Sequence, residues 1–176
     1  MKTIYTPLED FIKTLYNQLS ITQPQQLKML DIASKLNISI HFHDGMSAAI
    51  SHKKEQFIFL NNKITQEEQW EIFGHELGHI LMHAGNQLYL PKSYIQFQEY
   101  KAQNFALHFC IPGFMLEAIP LRYRKEEMVQ AIAASFGVTE LTAKKRYEHW
   151  FRQRENEYIQ MKVKESIHWP IVDIDQ

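Results

Sequence analysis

The chain has little of what marks several protein classes. Only one of its 176 residues is a cysteine, Cys110, so no internal disulfide can form. That usage suits a reducing compartment, and a cytoplasmic setting is expected. No run approaches the roughly 18 apolar residues that a membrane-spanning helix needs, so no membrane partner is expected. The first ten residues, Met1 to Asp10, contain two acids and no apolar stretch, which is not the pattern of a signal peptide. Neither sign of charge prevails: 19 Lys and Arg stand against 20 Asp and Glu. This argues against wholesale electrostatic capture by nucleic acid or by a membrane surface. Internal repeats and low-complexity segments are also missing.

What remains is an ordinary globular composition, 45% hydrophobic and 22% charged, in a chain long enough to bury a core without disulfide or metal staples. Residues 6–19 read as an amphipathic helix with Leu8, Phe11, Ile12, Leu15 and Leu19 on one face. A second helix is expected over 24–36, opened by Pro24. The period then changes to two, because Ile38, Ile40 and Phe42 alternate with Ser39, His41 and His43. Ala48–Ile50 and Phe57–Leu60 read as two further strands. Thr65 and Glu68 form a capping box that starts a helix through Trp70, Phe73, Leu77 and Leu81, with Gly85 as its stop. More helices are expected at about 93–110, 113–119, 125–135 and 139–160. The fold class is therefore α+β, a small three-stranded sheet packed on helices with a helical C-terminal part. Residues 1–120 form the core, 121–160 a helix-turn-helix-like part of the same domain, and 161–176 an irregular tail.

His75-Glu76-Leu77-Gly78-His79 lies in the middle of the Thr65-capped helix. Two histidines four apart share one helical face, where a single Zn²⁺ can take both imidazoles, with Glu76 beside it as general base. With 9 His in the chain, H-E-x-x-H arises by chance roughly 0.04 times, so the surrounding cap and stop signals carry much of the weight. Catalytic zinc usually has three protein ligands and one open position. His83 continues the i+4 series but lies roughly 12 Å along the axis from His75, too far for one ion. Met82 and Gly85 occupy the positions where a metzincin has Gly and His. Glu99 is the better third ligand: it sits on the next helix, and Ala102 and Ala106 on its face permit close approach to the zinc helix. His108 is the remaining option. As groups beside the site that could steady an oxyanion, His83, Tyr94 and His108 are candidates.

The first block, His75-Glu76-Leu77-Gly78-His79-Ile80-Leu81-Met82-His83, and the second, from Glu99 through Ala102, Phe105 and Ala106 to Pro112, resemble the ImmA/IrrE metallopeptidases. Lys101 stands where a second acid is common in that family, and Phe109-Cys110 replaces its leucines. The resemblance implies a minimal zincin-like metallopeptidase core over 1–120, one Zn²⁺ on His75, His79 and Glu99, and Glu76 as catalytic acid. It further implies an intracellular endopeptidase of the ImmA branch, found on phages and mobile elements. Such an enzyme cuts a cognate helix-turn-helix repressor and so acts as an anti-repressor. A strand at a sheet edge, with Phe57–Leu60 as the candidate, would hold the substrate extended.

Residues 127–146 read as a helix-turn-helix, with Gly137 at the turn and Thr139 capping the second helix. From 120 to 154, eight Lys and Arg stand against four Glu. The alternative reading is thus a DNA-binding or partner-sequestering regulator with a vestigial or structural metal site. Glu140 and Leu141 at the head of the second helix suit phosphate poorly, which weighs against direct DNA binding.

Overall fold

Thr6 and Glu9 start the first helix by a reciprocal capping box. Glu9 N–H donates to Thr6 Oγ1 at 3.3 Å, and Thr6 N–H donates to Glu9 Oε2 at 3.0 Å. The computed structural model describes residues 5–53, 55–82, 91–120 and 124–167, with backbone alone for 164–167. This helix, α1 (Pro7–Gln18), buries Ile12, Leu15 and Tyr16, while Phe11 sits at the rim, 42% exposed.

The helix expected over 24–36 is broken. Pro24–Gln26 is a 3₁₀ turn, Leu27 and Lys28 lie outside any helix, and α2 covers only Met29–Lys35. The Gln26 side chain explains the break, since its carbonyl accepts the N–H groups of Thr22 and Gln23 and ties off the first turn. Leu30 is exposed.

The three strands are β1 (Ile38–His43), β2 (Ala48–His52) and β3 (Glu55–Asn61). They lie in the order β1-β3-β2, with β1 parallel and β2 antiparallel to β3. Register places Ile38 and Ile40 beside Ile58 on the core face and His41, Phe57 and Phe59 on the other. The Phe57–Leu60 segment is therefore the central strand and not an edge. Strand alternation reports which face a residue takes and is silent on lateral order, so the expectation of an edge there fails. The edges are β1, beside α2, and β2, beside the helix that follows β3.

The Thr65 capping box is present, with Glu68 N–H to Thr65 Oγ1 at 3.2 Å and Thr65 N–H to Glu68 Oε2 at 2.9 Å. It opens α3 (Gln66–Met82). Gly85, the expected stop, lies outside the described residues. α4 (Lys92–Cys110) packs along α3, and Trp70, Phe73, Phe105 and Phe109 form an aromatic cluster between them. Tyr16 of α1 stacks on Phe109 and donates its hydroxyl to the Phe109 carbonyl at 2.8 Å. The helices α5 (Gly113–Leu116), α6 (Lys125–Phe136) and α7 (Glu140–Ile167) complete the described chain. α7 continues to Ile167, where an irregular tail was expected from 161. Gly137, between α6 and α7, has φ +62°, a left-handed stop that other residues adopt only with strain.

Candidate metal centre

Close packing of α3 on α4 sets the distance between the two histidines and Glu99. Gly74, just before the H-E-x-x-H residues, and Gly78, within them, face Ala106 and Ala102 on α4. A Cβ on Gly78 would lie 3.2 Å from the Ala102 Cα and 3.1 Å from Phe105 Cδ1. One on Gly74 would lie 2.9 Å from Cys110 Sγ and 3.5 Å from the Ala106 Cα. Glycines and alanines thus mesh across one seam. The alanines signal close approach in the sequence, and the matching Gly74-x-x-x-Gly78, which overlaps the motif, was an equally legible signal that sequence reasoning missed.

On this scaffold the three side chains converge. His75 Nε2 and His79 Nε2 are 3.1 Å apart. Glu99 Oε2 is 3.3 Å from His75 Nε2, and Glu99 Oε1 is 3.4 Å from His79 Nε2. Bonds of about 2.0–2.1 Å in four-coordinate zinc would set neighbouring ligand atoms about 3.3–3.4 Å apart. The three groups therefore fit a small tetrahedral cation that keeps one position open. Among the described residues this is the one cluster of three His, Cys, Asp or Glu side chains suited to a metal ion.

Glu76 is buried, 9% exposed, on the same helix between the two histidines. Burial first, and the Glu99 carboxylate in addition, push its carboxyl up to about 7, against the donation it receives from the backbone N–H of Ala49. A metal cation in the site would act in the opposite direction and favour the carboxylate. The Ala49 amide belongs to β2, so this edge strand lies beside the acid.

The remaining candidates are scattered. His108 is buried, takes the Asn104 carbonyl at 2.8 Å through Nδ1, and packs edge-on against His149 of α7. Nine residues past Glu99 is half a turn off its helical face. Burial, helped by Arg146, lowers the His108 pKa to about 4, so it is neutral at physiological pH. It belongs to the α4–α7 contact and not to the metal centre. Tyr94 is exposed in the first turn of α4, with Phe97 beside its ring. His83 lies outside the described residues.

Sequence reasoning missed Glu9 and Arg146. Arg146 is fully buried: its Nε donates to the Ile111 carbonyl at 3.0 Å and its Nη2 to Glu9 Oε1 at 2.9 Å. A lone Arg in a basic helix carries no sign of burial. Other cations of the C-terminal part are paired too, Lys125 with Glu148, Arg124 with Glu127, and Arg154 with Glu117 and Glu157. Four of the eight cations counted over 120–154 are thus paired, while Lys144, Lys145 and Arg152 stay exposed.

Comparison with known proteins agrees with this geometry. The Peptidase_M78 family, described as the IrrE N-terminal-like domain, matches residues 33–148. The phage-like element PBSX protein XkdA of Bacillus subtilis (strain 168) is 42% identical over 147 residues, 84% of this chain and 74% of that protein. YqaB of the same organism is 33% identical over 153 residues, 87% of this chain and 89% of that protein. Among solved structures, a Mycobacterium tuberculosis transcriptional regulator superposes with a TM-score of 0.56 at 12% identity. That superposition covers 77% of this chain and 44% of the regulator's, and it shows a shared fold.

Proposed function

Since the chain belongs to the Peptidase_M78 family of IrrE N-terminal-like domains, we propose that it is an intracellular zinc endopeptidase that cuts a helix-turn-helix transcriptional repressor. The observation that carries this reading is the convergence of His75, His79 and Glu99 within 3.4 Å of one another beside a buried acid, Glu76. A purely structural zinc site closes with four ligands and has no use for such an acid.

Zinc held by these three residues would supply a Lewis acid for the scissile carbonyl and a lowered pKa for the attacking water. Glu76 would take a proton from the attacking water and pass it to the leaving amine nitrogen. Burial favours its taking up the proton, and the charge of a bound cation favours its giving the proton up again. β2, as the edge strand whose Ala49 amide reaches Glu76, is the element to hold a substrate strand by backbone pairing.

The regulatory part of the reading is supported by the relationship to a protein of a phage-like element and by the family resemblance of the two motif blocks. The DNA-binding alternative draws on the α6–Gly137–α7 hairpin and the exposed Lys144, Lys145 and Arg152 of α7, and is weakened by Glu140 at the head of that helix.

The test is direct. The Glu76→Gln protein, checked for zinc binding, and wild type are each incubated with helix-turn-helix repressors from the same genome, any encoded beside this gene first, and fragments are read by mass spectrometry. Wild type cuts at a single region and Glu76→Gln does not. Cleavage that persists in Glu76→Gln removes Glu76 from the mechanism. Intact repressor with zinc-loaded wild type removes the proposed substrate.

A further inference from the structure

His75 has two surroundings. One is the metal triad. The other is a cleft of about 410 Å³ between α3, α4 and the start of α7, of which His75 forms a wall. Ile72, Leu107 and Cys110 line it with apolar surface, and Tyr100 and Lys145 stand at exposed positions of its rim.

We propose that this cleft receives a large apolar side chain of the substrate polypeptide, next to the bond that is cut. The proposal rests on the metallopeptidase reading and adds to it the chemistry that selects the substrate. Continuity is the first argument. Because His75 is both metal ligand and cleft wall, a chain whose carbonyl lies at the metal has a neighbouring side chain within reach of the cleft. The second argument is the lining: an apolar group is desolvated against Ile72, Leu107 and Cys110, while its main chain stays at a polar mouth. Size is the third. A small side chain leaves most of this volume without contacts, whereas a Phe, Met or Leu fills far more of it. An acidic occupant is disfavoured because Glu71 also lines the cleft and offsets Lys145. Through Thr142 and Lys145 the C-terminal helical part contributes to substrate selection.

Metal-anchored probes test this without a known substrate. The protein is loaded with Co²⁺, whose absorption spectrum reports chelation, and titrated by calorimetry with acetohydroxamate, 3-phenylpropionohydroxamate and succinate monohydroxamate. The phenyl probe is expected to bind at least about tenfold more tightly than acetohydroxamate, and the succinate probe is not. The phenyl-to-methyl ratio is then measured in Gln103→Trp, which fills the mouth from an exposed position, and in Leu107→Ala, which removes a wall. It should fall toward one in Gln103→Trp and decline in Leu107→Ala. Equal affinities in wild type, tighter binding of the succinate probe, or a ratio unchanged in both variants would overturn the cleft's assignment while leaving the metal site standing. Failure to take up Co²⁺ would overturn the metallopeptidase reading and the cleft with it.

Discussion

The carboxylate of Glu71 accepts the backbone N–H of Thr139 at 2.7 Å. Glu71 lies on α3 one turn before His75, and Thr139 immediately precedes α7. An acid at a helix N-terminus satisfies an amide that has no intrahelical partner and meets the positive end of the helix dipole. Thr139 then caps the helix itself, its Oγ1 accepting the Thr142 N–H at 3.3 Å. The helix that carries His75 and His79 thus also anchors the C-terminal part.

Removing that anchor should loosen α7 locally. Glu71→Ala is expected to cost about 1–2 kcal/mol, the range for a hydrogen bond to a charged group that is partly open to water. Amides near the start of α7 should exchange faster in hydrogen–deuterium exchange, with zinc still bound. Unchanged protection there would show that the α6–α7 packing alone holds the helix.

The Gly78–Ala102 seam makes a sharper prediction. Gly78→Ala places a Cβ 3.2–3.3 Å from the Ala102 Cα and carbonyl oxygen, which are backbone atoms and yield little. Overpacking of about 1–3 kcal/mol outweighs the helix-propensity gain of about 1 kcal/mol. Thermal stability should fall, and zinc affinity with it, because His79 and Glu99 sit on the two helices being pushed apart. A variant with wild-type zinc affinity would show that the triad tolerates helix separation.

Metal removal should act through the same residues. A ligand at a hundred times its Kd stabilises the folded state by about 2.7 kcal/mol. Melting of wild type with zinc and with a chelator should differ accordingly, and the difference should vanish in Glu99→Ala and in His79→Ala. A zinc-dependent shift that survives in both would place the ion elsewhere.

Acid should release the Glu9–Arg146 pair. Burial raises the Glu9 carboxyl, but the Gln153 amide, the Thr6 backbone amide and Arg146 outweigh it and hold Glu9 at about 2. The unfolded carboxyl lies near 4.3. A depressed folded pKa means stability that is present above the unfolded value and lost as pH falls from there toward 2. The loss is about 2–3 kcal/mol. Glu9→Gln should flatten that part of the stability–pH curve. At neutral pH it should cost about 3–5 kcal/mol, because Arg146 stays buried without its partner. An acid limb of the same slope in both proteins would assign the pH dependence to other groups.

Much of the site was legible along the chain. The i+4 spacing of His75 and His79, the Thr65 box and the small residues after Glu99 are local features, and each appears as expected. Helix ends and lateral strand order were less so. The Gln26 side chain breaks the 24–36 helix by competing for backbone amides, which propensity does not register. Phe57–Leu60 became the central strand because β1 adds to its far side, a pairing across more than a dozen residues that alternation cannot encode. His108 turned to α7 because its partners Arg146 and His149 lie some forty residues away in sequence.

Taken alone, the sequence determined the chemistry: which side chains could share an ion, which acid stood beside them, and which family the two blocks resemble. Those properties follow from spacing on single helices. Only the tertiary structure decided that Glu99 closes the triad at 3.3 and 3.4 Å, that β2 is the strand touching Glu76, and that Arg146 is a buried anchor and not a surface cation. These depend on how helices and strands pack against one another, which depends on shape complementarity between segments distant in the chain.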